Sequence, residues 1–303
     1  MKREFGNDPM MNELHEIREK HYQKTKTAPA TERNRLVRFL SSYGYRLVPT
    51  KRGTRKLVRR SKWSAESVDA SDILDRSDME RPRSPSELFA WVTAKCDELG
   101  ATPEAKAFAR SGALLPKKFY EEVYPLALFA QHEFGGRDAV LVQPNFDNDN
   151  FDGRITVGTG AVRKKTIFVE VTSAKDGHDE SLRMEVLGRR GHVSLTGPVF
   201  SSGRKGSPNR RVHVKMKAVR HLAVLEDYLA IVKARLEDKA RSRYGKDHTL
   251  VVVVDDYLPL RESSDVNRLR KAAASWLPEL RLDFGRVVFL GIAGNLFLSF
   301  DVW

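Results

Sequence analysis

Apolar residues along this chain change their period several times, and each change predicts an element. Around Met11–Lys24 the pattern is helical, and it loosens at Thr25–Ala30. From Thr31, the spacing of Leu36, Phe39 and Leu40 predicts an amphipathic helix that leaves Arg33, Arg35 and Arg38 on its open side and ends at Gly44. Tyr45–Pro49 and Arg55–Arg60, separated by Lys51, Arg52, Gly53 and Thr54, predict a short hairpin with a basic tip and a basic second strand. Ser, Asp and Arg then dominate, with Pro82 and Pro85 among them, which reads as a linker. The expected organisation is a basic helical and hairpin module at 1–63, a linker at 64–86 and a second domain at 87–303.

The second domain reads as dense α/β. Helical patterns cover about Pro85–Arg110 and Lys117–Phe134, the latter interrupted at Pro125, where a second helical segment starts. Short apolar strands are expected at Ala139–Val142, Phe151–Val157 and Thr166–Thr172, the last two joined through a turn at Gly158, Thr159 and Gly160. A helix at Asp179–Gly188 and a strand at His192–Leu195 follow. Leu222, Leu225, Leu229, Val232 and Leu236 form the 3–4–3–4 stripe of a long helix from about Ala218 to Arg243. Thr249–Val254 is continuously apolar and β-branched, as a strand buried on both faces must be. Val287–Ile292 and Leu296–Phe300 predict a closing hairpin around Ala293, Gly294 and Asn295. The expected fold is an α/β core with a mixed central sheet flanked by helices, preceded by the basic module.

Charge changes that picture from fold to partner. The chain of 303 residues has a formal net charge of +13, and residues 1–63 hold 17 Lys and Arg against 6 Asp and Glu, or +11 of it. Such a segment attracts polyanions, so Lys51, Arg52, Arg55, Lys56, Arg59 and Arg60 are candidate DNA contacts. The plain alternatives are solvated charge or an extension packed on the second domain. No stretch approaches a membrane span, and Met1–Met11 lacks the apolar core of a secretory signal. Cys96 is the single cysteine, which excludes an intramolecular disulfide and a thiolate zinc cluster and suits a reducing cytoplasm.

The chemistry is concentrated in two neighbouring strands. Alternation sends Phe151, Ile155 and Val157 to one face, and Asp152, Arg154 and Thr156 to the other. In the next strand Ile167, Val169 and Val171 face the core, while Phe168, Glu170 and Thr172 share the opposite face. Pairing of the two would set Asp152 and Glu170 side by side over one cleft. Converging carboxylates repel, and a hard cation with oxygen ligands, Mg²⁺ or Mn²⁺, relieves the repulsion. Such an ion also lowers the pKa of bound water and offsets charge on a phosphodiester under attack. The plain alternative is an amphipathic hairpin with solvent-facing acids.

This pattern resembles the PD-(D/E)xK nuclease superfamily, whose members include restriction endonucleases and Holliday-junction resolvases. The resemblance spans roughly Leu115–Leu195 and implies a restriction-endonuclease-like core of helix, strand, Asp-bearing strand, Glu-bearing strand, helix and strand. It makes Asp152 and Glu170 catalytic metal ligands, adds the Val171 carbonyl as a further ligand, and implies an extra acid from the preceding helix: Glu121, Glu122 or Glu133. The sequence departs from the family at two places. Phe151 stands where the name-giving pattern has Pro, and Thr172 stands where it has Lys. Lys175 is the candidate replacement for that lysine, with Arg183 and His178 as alternatives.

Other candidates read more plainly. Asp255 and Asp256 follow a buried strand and are taken as a solvated strand end, and the scattered histidines have no metal spacing. Arg204, Lys205, Arg210 and Arg211 surround a Gly-, Ser- and Pro-rich loop that could clamp DNA as a flexible basic flap or be disordered. The expected function is a cytoplasmic, DNA-binding, divalent-metal-dependent endonuclease of restriction, repair or mobile-element type. The alternative is a non-catalytic nucleic-acid-binding protein with a nuclease-like fold. DNA is the expected partner, a homodimer is left open, and no membrane is involved.

Overall fold

A computed structural model describes residues 70–302 except 112, 138, 148, 159–164, 191, 195, 196, 205, 206, 208 and 216, together with the strands at 45–49 and 55–59. The chain divides into two compact units, Met1–Val68 and Asp69–Trp303. In the first, β1 (Tyr45–Pro49) and β2 (Arg55–Arg59) pair antiparallel with Tyr45 opposite Arg59, the register of the expected hairpin. The expected helices at 11–24 and 31–43, and Lys51, Arg52 and Arg60, lie outside the described residues.

The second unit begins earlier than the hydropathy pattern implies. Residues 70–86, expected to be linker, contain a 3₁₀ turn at Ala70–Ile73 and α1 (Arg76–Met79). They are packed in because Leu74 and Met79 are buried in the core. Arg83 also pairs with Val142, its N–H donating to the Val142 carbonyl at 3.0 Å and its carbonyl accepting in return at 2.8 Å. Ile73, Leu74 and Met79, the apolar side chains that pack in from this polar stretch, are too few to show as a period.

Pro85 then opens α2 (Pro85–Leu99) behind a complete capping box of Ser84 and Glu87. Gly100 separates it from α3 (Pro103–Ala109), splitting the single helix expected there. A third helical rod is built from α4 (Leu114–Lys118), a π-helical turn at Phe119–Val123 and α5 (Tyr124–Phe134). The π-turn follows from Pro125, which has no N–H to give to the Glu121 carbonyl. Instead the Tyr124 N–H reaches back to the Phe119 carbonyl, and the turn takes an extra residue.

The six-stranded sheet contains β3 (Val140–Pro144), β4 (Gly153–Val157), β5 (Lys165–Ser173), β8 (Gly245–Val254), β9 (Phe284–Gly291) and β10 (Phe297–Asp301), in the spatial order β10-β9-β8-β5-β4-β3. The central neighbours β5, β8 and β9 run parallel, and the outer pairs are antiparallel. The sheet is therefore mixed, as expected. Between β5 and β8 come α6 (Gly177–Arg190), a hairpin of β6 (Val199–Ser202) and β7 (Arg211–Val214), and α7 (His221–Ala240). The strand expected at His192–Leu195 does not form: residues 192–194 are irregular, and the sheet position beside β5 goes to β8.

Alternation divides the sheet between two apolar layers. Val169, Val171, Val251, Val253, Val288 and Leu290 face α2 and α5, packing on Leu88, Val92, Phe119 and Phe129. Leu250, Val252, Val254, Val287 and Phe289 face the other way, onto Leu225, Val232 and Leu236 of α7 and Leu269, Ala273 and Leu277 of α8 (Ser263–Leu280). Each valine of β8 is buried because it has a helix above or below it. Among the described residues no helix is long and apolar enough to cross a membrane.

Candidate functional site

The register of β4 on β5 determines where the acids go. Gly153 lies opposite Val169 and Arg154 opposite Phe168, and β4 pairing ends there. Ile155 and Val169 belong to the α2/α5 core, so Arg154, Phe168 and Glu170 occupy the α7 face of the sheet. Asp152 lies one residue before β4. Its N–H donates to the Val169 carbonyl (2.8 Å), and its carboxylate Oδ2 accepts the Val171 N–H (2.8 Å). Asp152 thus takes the backbone position that the next residue of a longer β4 would fill. The Val171 carbonyl points to the same edge as its N–H, beyond the last residue that β4 pairs. Gly153 permits this close packing, since a Cβ there would lie 2.4 Å from Cδ2 of the fully buried Leu126.

Three further charged groups converge on the pair. Lys239, at the end of α7, places its ammonium on Glu170 Oε1. Glu122, in the π-turn, accepts from Lys118 Nζ at 2.8 Å, and the charges of both are felt at Asp152 or Glu170. Phe151 leans on Phe168 (4.8 Å between centroids), and Phe168 stacks on the buried His248 (5.0 Å), so an aromatic wall stands beside the carboxylates.

The electrostatics follow from that enclosure. Burial pushes the Asp152 carboxyl above its ordinary range, against the opposing pull of the Val171 N–H and of Lys239 and Lys118. Glu170 is raised by burial and then by the negative charge of Asp152, with Lys239 holding it down in part. Glu122 is raised mainly by burial and further by Asp152. Burial alone would lower the Lys239 ammonium, but its hydrogen bond to Glu170 and the surrounding negative charge overcome this and raise it. Three acids held above their normal range around two lysines form a site that favours added positive charge.

The residues singled out from the sequence divide clearly. Asp152 and Glu170 feel each other's charge, and of the three helix acids Glu122 is the one whose charge couples to them. Glu121 points instead to the exposed Lys117 at 3.9 Å, and Glu133 pairs with Arg286 at 2.9 Å. Lys175 is exposed, and its carbonyl accepts from Arg235 at 2.6 Å. Arg183 donates to the carbonyls of Ser194 and Gly197, both at 2.6 Å, and His178 is exposed. Thr172 shares the face of Glu170, half-buried. Asp256 is buried rather than solvated: its carboxylate accepts the N–H groups of Ala293 and Asn295, both at 2.8 Å.

Lys239 is the charged member of the cluster that the sequence did not bring forward, and its signal was present. Leu222 proves exposed, but the stripe Leu225, Leu229, Val232, Leu236 continues by its own 3–4 rhythm to position 239, where the core-facing side of the helix presents a lysine. A charged residue on an otherwise apolar stripe needs a buried partner. Lys118 could be found in the same way, four residues before Glu122 on one helical side.

Comparison with known proteins gives no match: none with protein-family models, none with curated proteins and none with solved structures. The site therefore speaks through its own chemistry. Its donors are all oxygen, which suits a hard divalent cation rather than zinc or copper. Among the described residues no three His, Cys, Asp or Glu side chains are grouped closely enough to hold an ion in this conformation. Lysines, not further ligands, engage Glu170 and Glu122 here.

Proposed function

We propose that this chain is a DNA-binding, Mg²⁺- or Mn²⁺-dependent nuclease with a PD-(D/E)xK-like core, its site made of Asp152, Glu170 and Glu122 with Lys239. The observation behind this reading is the lysine-paired Glu170 set beside Asp152 at the open edge beyond β4. The antiparallel strands β3, β4 and β5, followed by a helix and a parallel strand beside β5, support the family resemblance.

Asp152, Glu170 and the Val171 carbonyl would hold the ion, with Glu122 through water. When bound, the ion would supply charge neutralisation on the phosphodiester and a water of lowered pKa. The protein's own residues do the rest. The Val171 N–H fixes the orientation of Asp152. Lys239 keeps Glu170 ionised despite its burial, and its ammonium is a fixed positive charge for the oxyanion that develops on phosphorus. That charge does the work expected of the lysine missing at Thr172. The aromatic wall of Phe151 and Phe168 keeps water off one side of the cluster.

A second reading, a nucleic-acid-binding protein without cleavage, is favoured by one observation: both Glu170 and Glu122 already have lysine partners, so the cluster can persist as a salt-bridge network. A plasmid-nicking assay with Mg²⁺ or Mn²⁺ against EDTA separates the two. The nuclease should nick only with the ion, and the Asp152→Ala/Glu170→Ala double variant should stay folded and lose activity by at least about 10³-fold. Equal cleavage by wild type and double variant would remove both the site and the family resemblance.

A further inference from the structure

Between Val186 and Leu225 the chain has 9 Lys and Arg and no Asp or Glu over 40 residues, a run hidden in the whole-chain balance. The β6/β7 hairpin lies in the middle of this run. Its register pairs Phe200 with His213 and Ser202 with Arg211 on one face, and Ser201 with Val212 on the other. The inner face is anchored. Val212 is buried against Leu182 and Val186 of α6, with Val199 and Val214 packed beside it. Arg210 reaches Glu185 at 3.1 Å, and Arg183 holds the Ser194 and Gly197 carbonyls. Gly197 has φ +93°, and a Cβ there would fall 2.1 Å from the Lys215 carbonyl oxygen, so the base of the ribbon closes tightly.

The outer face has no such partners. Phe200 is 55% exposed, and Ser202, Arg211 and His213 beside it are exposed as well. Arg204 and Lys215 extend the same basic surface at either end, and among the described residues neither they nor Arg211 enters an ion pair. A rigid, acid-free, two-stranded ribbon that exposes an aromatic between cations matches one partner well. Two strands about 4.8 Å apart, with their side chains, fit a B-form major groove about 12 Å wide. Cations at the ends meet phosphates, and an aromatic meets base edges or thymine methyls.

We infer that the β6/β7 ribbon is a duplex-DNA-binding element of the second unit, with Arg204, Arg211 and Lys215 on phosphates and Phe200 and His213 towards the bases. The inference takes only its substrate class from the proposed nuclease, and its test reads binding rather than cleavage. The full-length chain would be titrated against a fluorescein-labelled short DNA duplex in EDTA, across a series of salt concentrations. Arg204→Glu/Arg211→Glu/Lys215→Glu should weaken binding by at least about tenfold and reduce the log–log salt slope by about 2–3. Phe200→Ala should weaken it severalfold with the slope and the melting temperature unchanged, because it removes a base contact and not a phosphate contact. The control reverses the same number of exposed charges elsewhere, as Arg268→Glu/Arg270→Glu/Lys271→Glu on α8, and should cost much less. Equal losses in the two triple variants, unaltered binding by the ribbon variant, or no duplex binding by wild type would each overturn the inference. Ribbon-dependent binding without ion-dependent nicking would leave the ribbon standing and remove only the nuclease.

Discussion

Two buried acidic sites lie at the carboxyl ends of neighbouring central strands and resolve their burial in opposite ways. Asp256, just past β8, is 5% exposed and is satisfied by amides: Ala293 N–H on one oxygen, Asn295 N–H on the other. Those donors are fixed in the turn between β9 and β10, so the carboxylate ties that turn to the end of β8. Asp152 and Glu170, at the end of β5, have between them one backbone donor, from Val171, and are otherwise surrounded by each other, by Glu122 and by two lysines. A carboxylate held on each oxygen by a fixed amide does structural work. Carboxylates that repel one another and are held by lysine ammonium groups can exchange those partners for another cation. The difference separates a staple from a site.

The largest effect that tests this distinction is on stability. Asp256→Ala removes two hydrogen bonds to a charged acceptor at once, which should cost roughly 2–5 kcal/mol. The loss is measurable as a lower urea midpoint, with metal-dependent cleavage by the folded fraction unchanged. If Asp256→Ala were neutral for stability and lowered cleavage, the staple would be the site.

Next comes the lysine. Lys239→Met should reduce cleavage by about 10²-fold, equivalent to about 2.7 kcal/mol of barrier, because it removes the fixed charge beside the carboxylates. Lys175→Ala should leave cleavage at the wild-type rate, since Lys175 is exposed and enters none of the ion pairs around Glu170 and Glu122. The reverse ranking in single-turnover rates would return the role to Lys175.

This pair of variants also marks what the sequence could reveal. Period-two alternation put the residues of β4 and β5 on the expected faces, Ile155, Ile167 and Val169 towards the core and Phe168 and Glu170 away from it, because register in a half-buried sheet follows the apolar side chains. It did not hold beyond the end of β4, where Phe151 leans on Phe168. The mixed sheet was legible for the same reason. The rhythm of the α7 stripe reached Lys239 but not its partner, because Glu170 is 69 residues away and is met only through the crossover from β5 to β8. The helix Ser263–Leu280 went unread because its buried stripe is thin: Asp265, Leu269, Ala273 and Leu277, with Pro278 imitating a stop. The packed segment at 70–86 looked like linker because its few apolar core residues are set among Ser, Asp and Arg. Choosing between Glu121 and Glu122 needed the π-turn, which rotates neighbouring residues in a way that ideal helical spacing does not foresee.

The smallest effect is the most specific to the acid cluster. Burial raises the Asp152 carboxyl above its ordinary value, so the folded protein holds that proton more tightly than the unfolded chain does. The sign follows from linkage: the contribution is fully present below the unfolded value, near 3.8, and is lost as pH rises through the folded value. At neutral pH ionised Asp152 therefore costs stability that Asn, uncharged and still able to accept the Val171 N–H, does not. Asp152→Asn should melt a few degrees higher than wild type at pH 7.5, the size of a change of about 1 kcal/mol in a chain of this length. The advantage should shrink as pH falls and vanish once wild-type Asp152 is protonated in both states. Mg²⁺ should raise the melting temperature of wild type, by offsetting the same repulsion, and do less for the variant. A stabilisation that persists unchanged into acid would mean that packing, not charge, explains it. Asp152 would then belong with Asp256 among the staples.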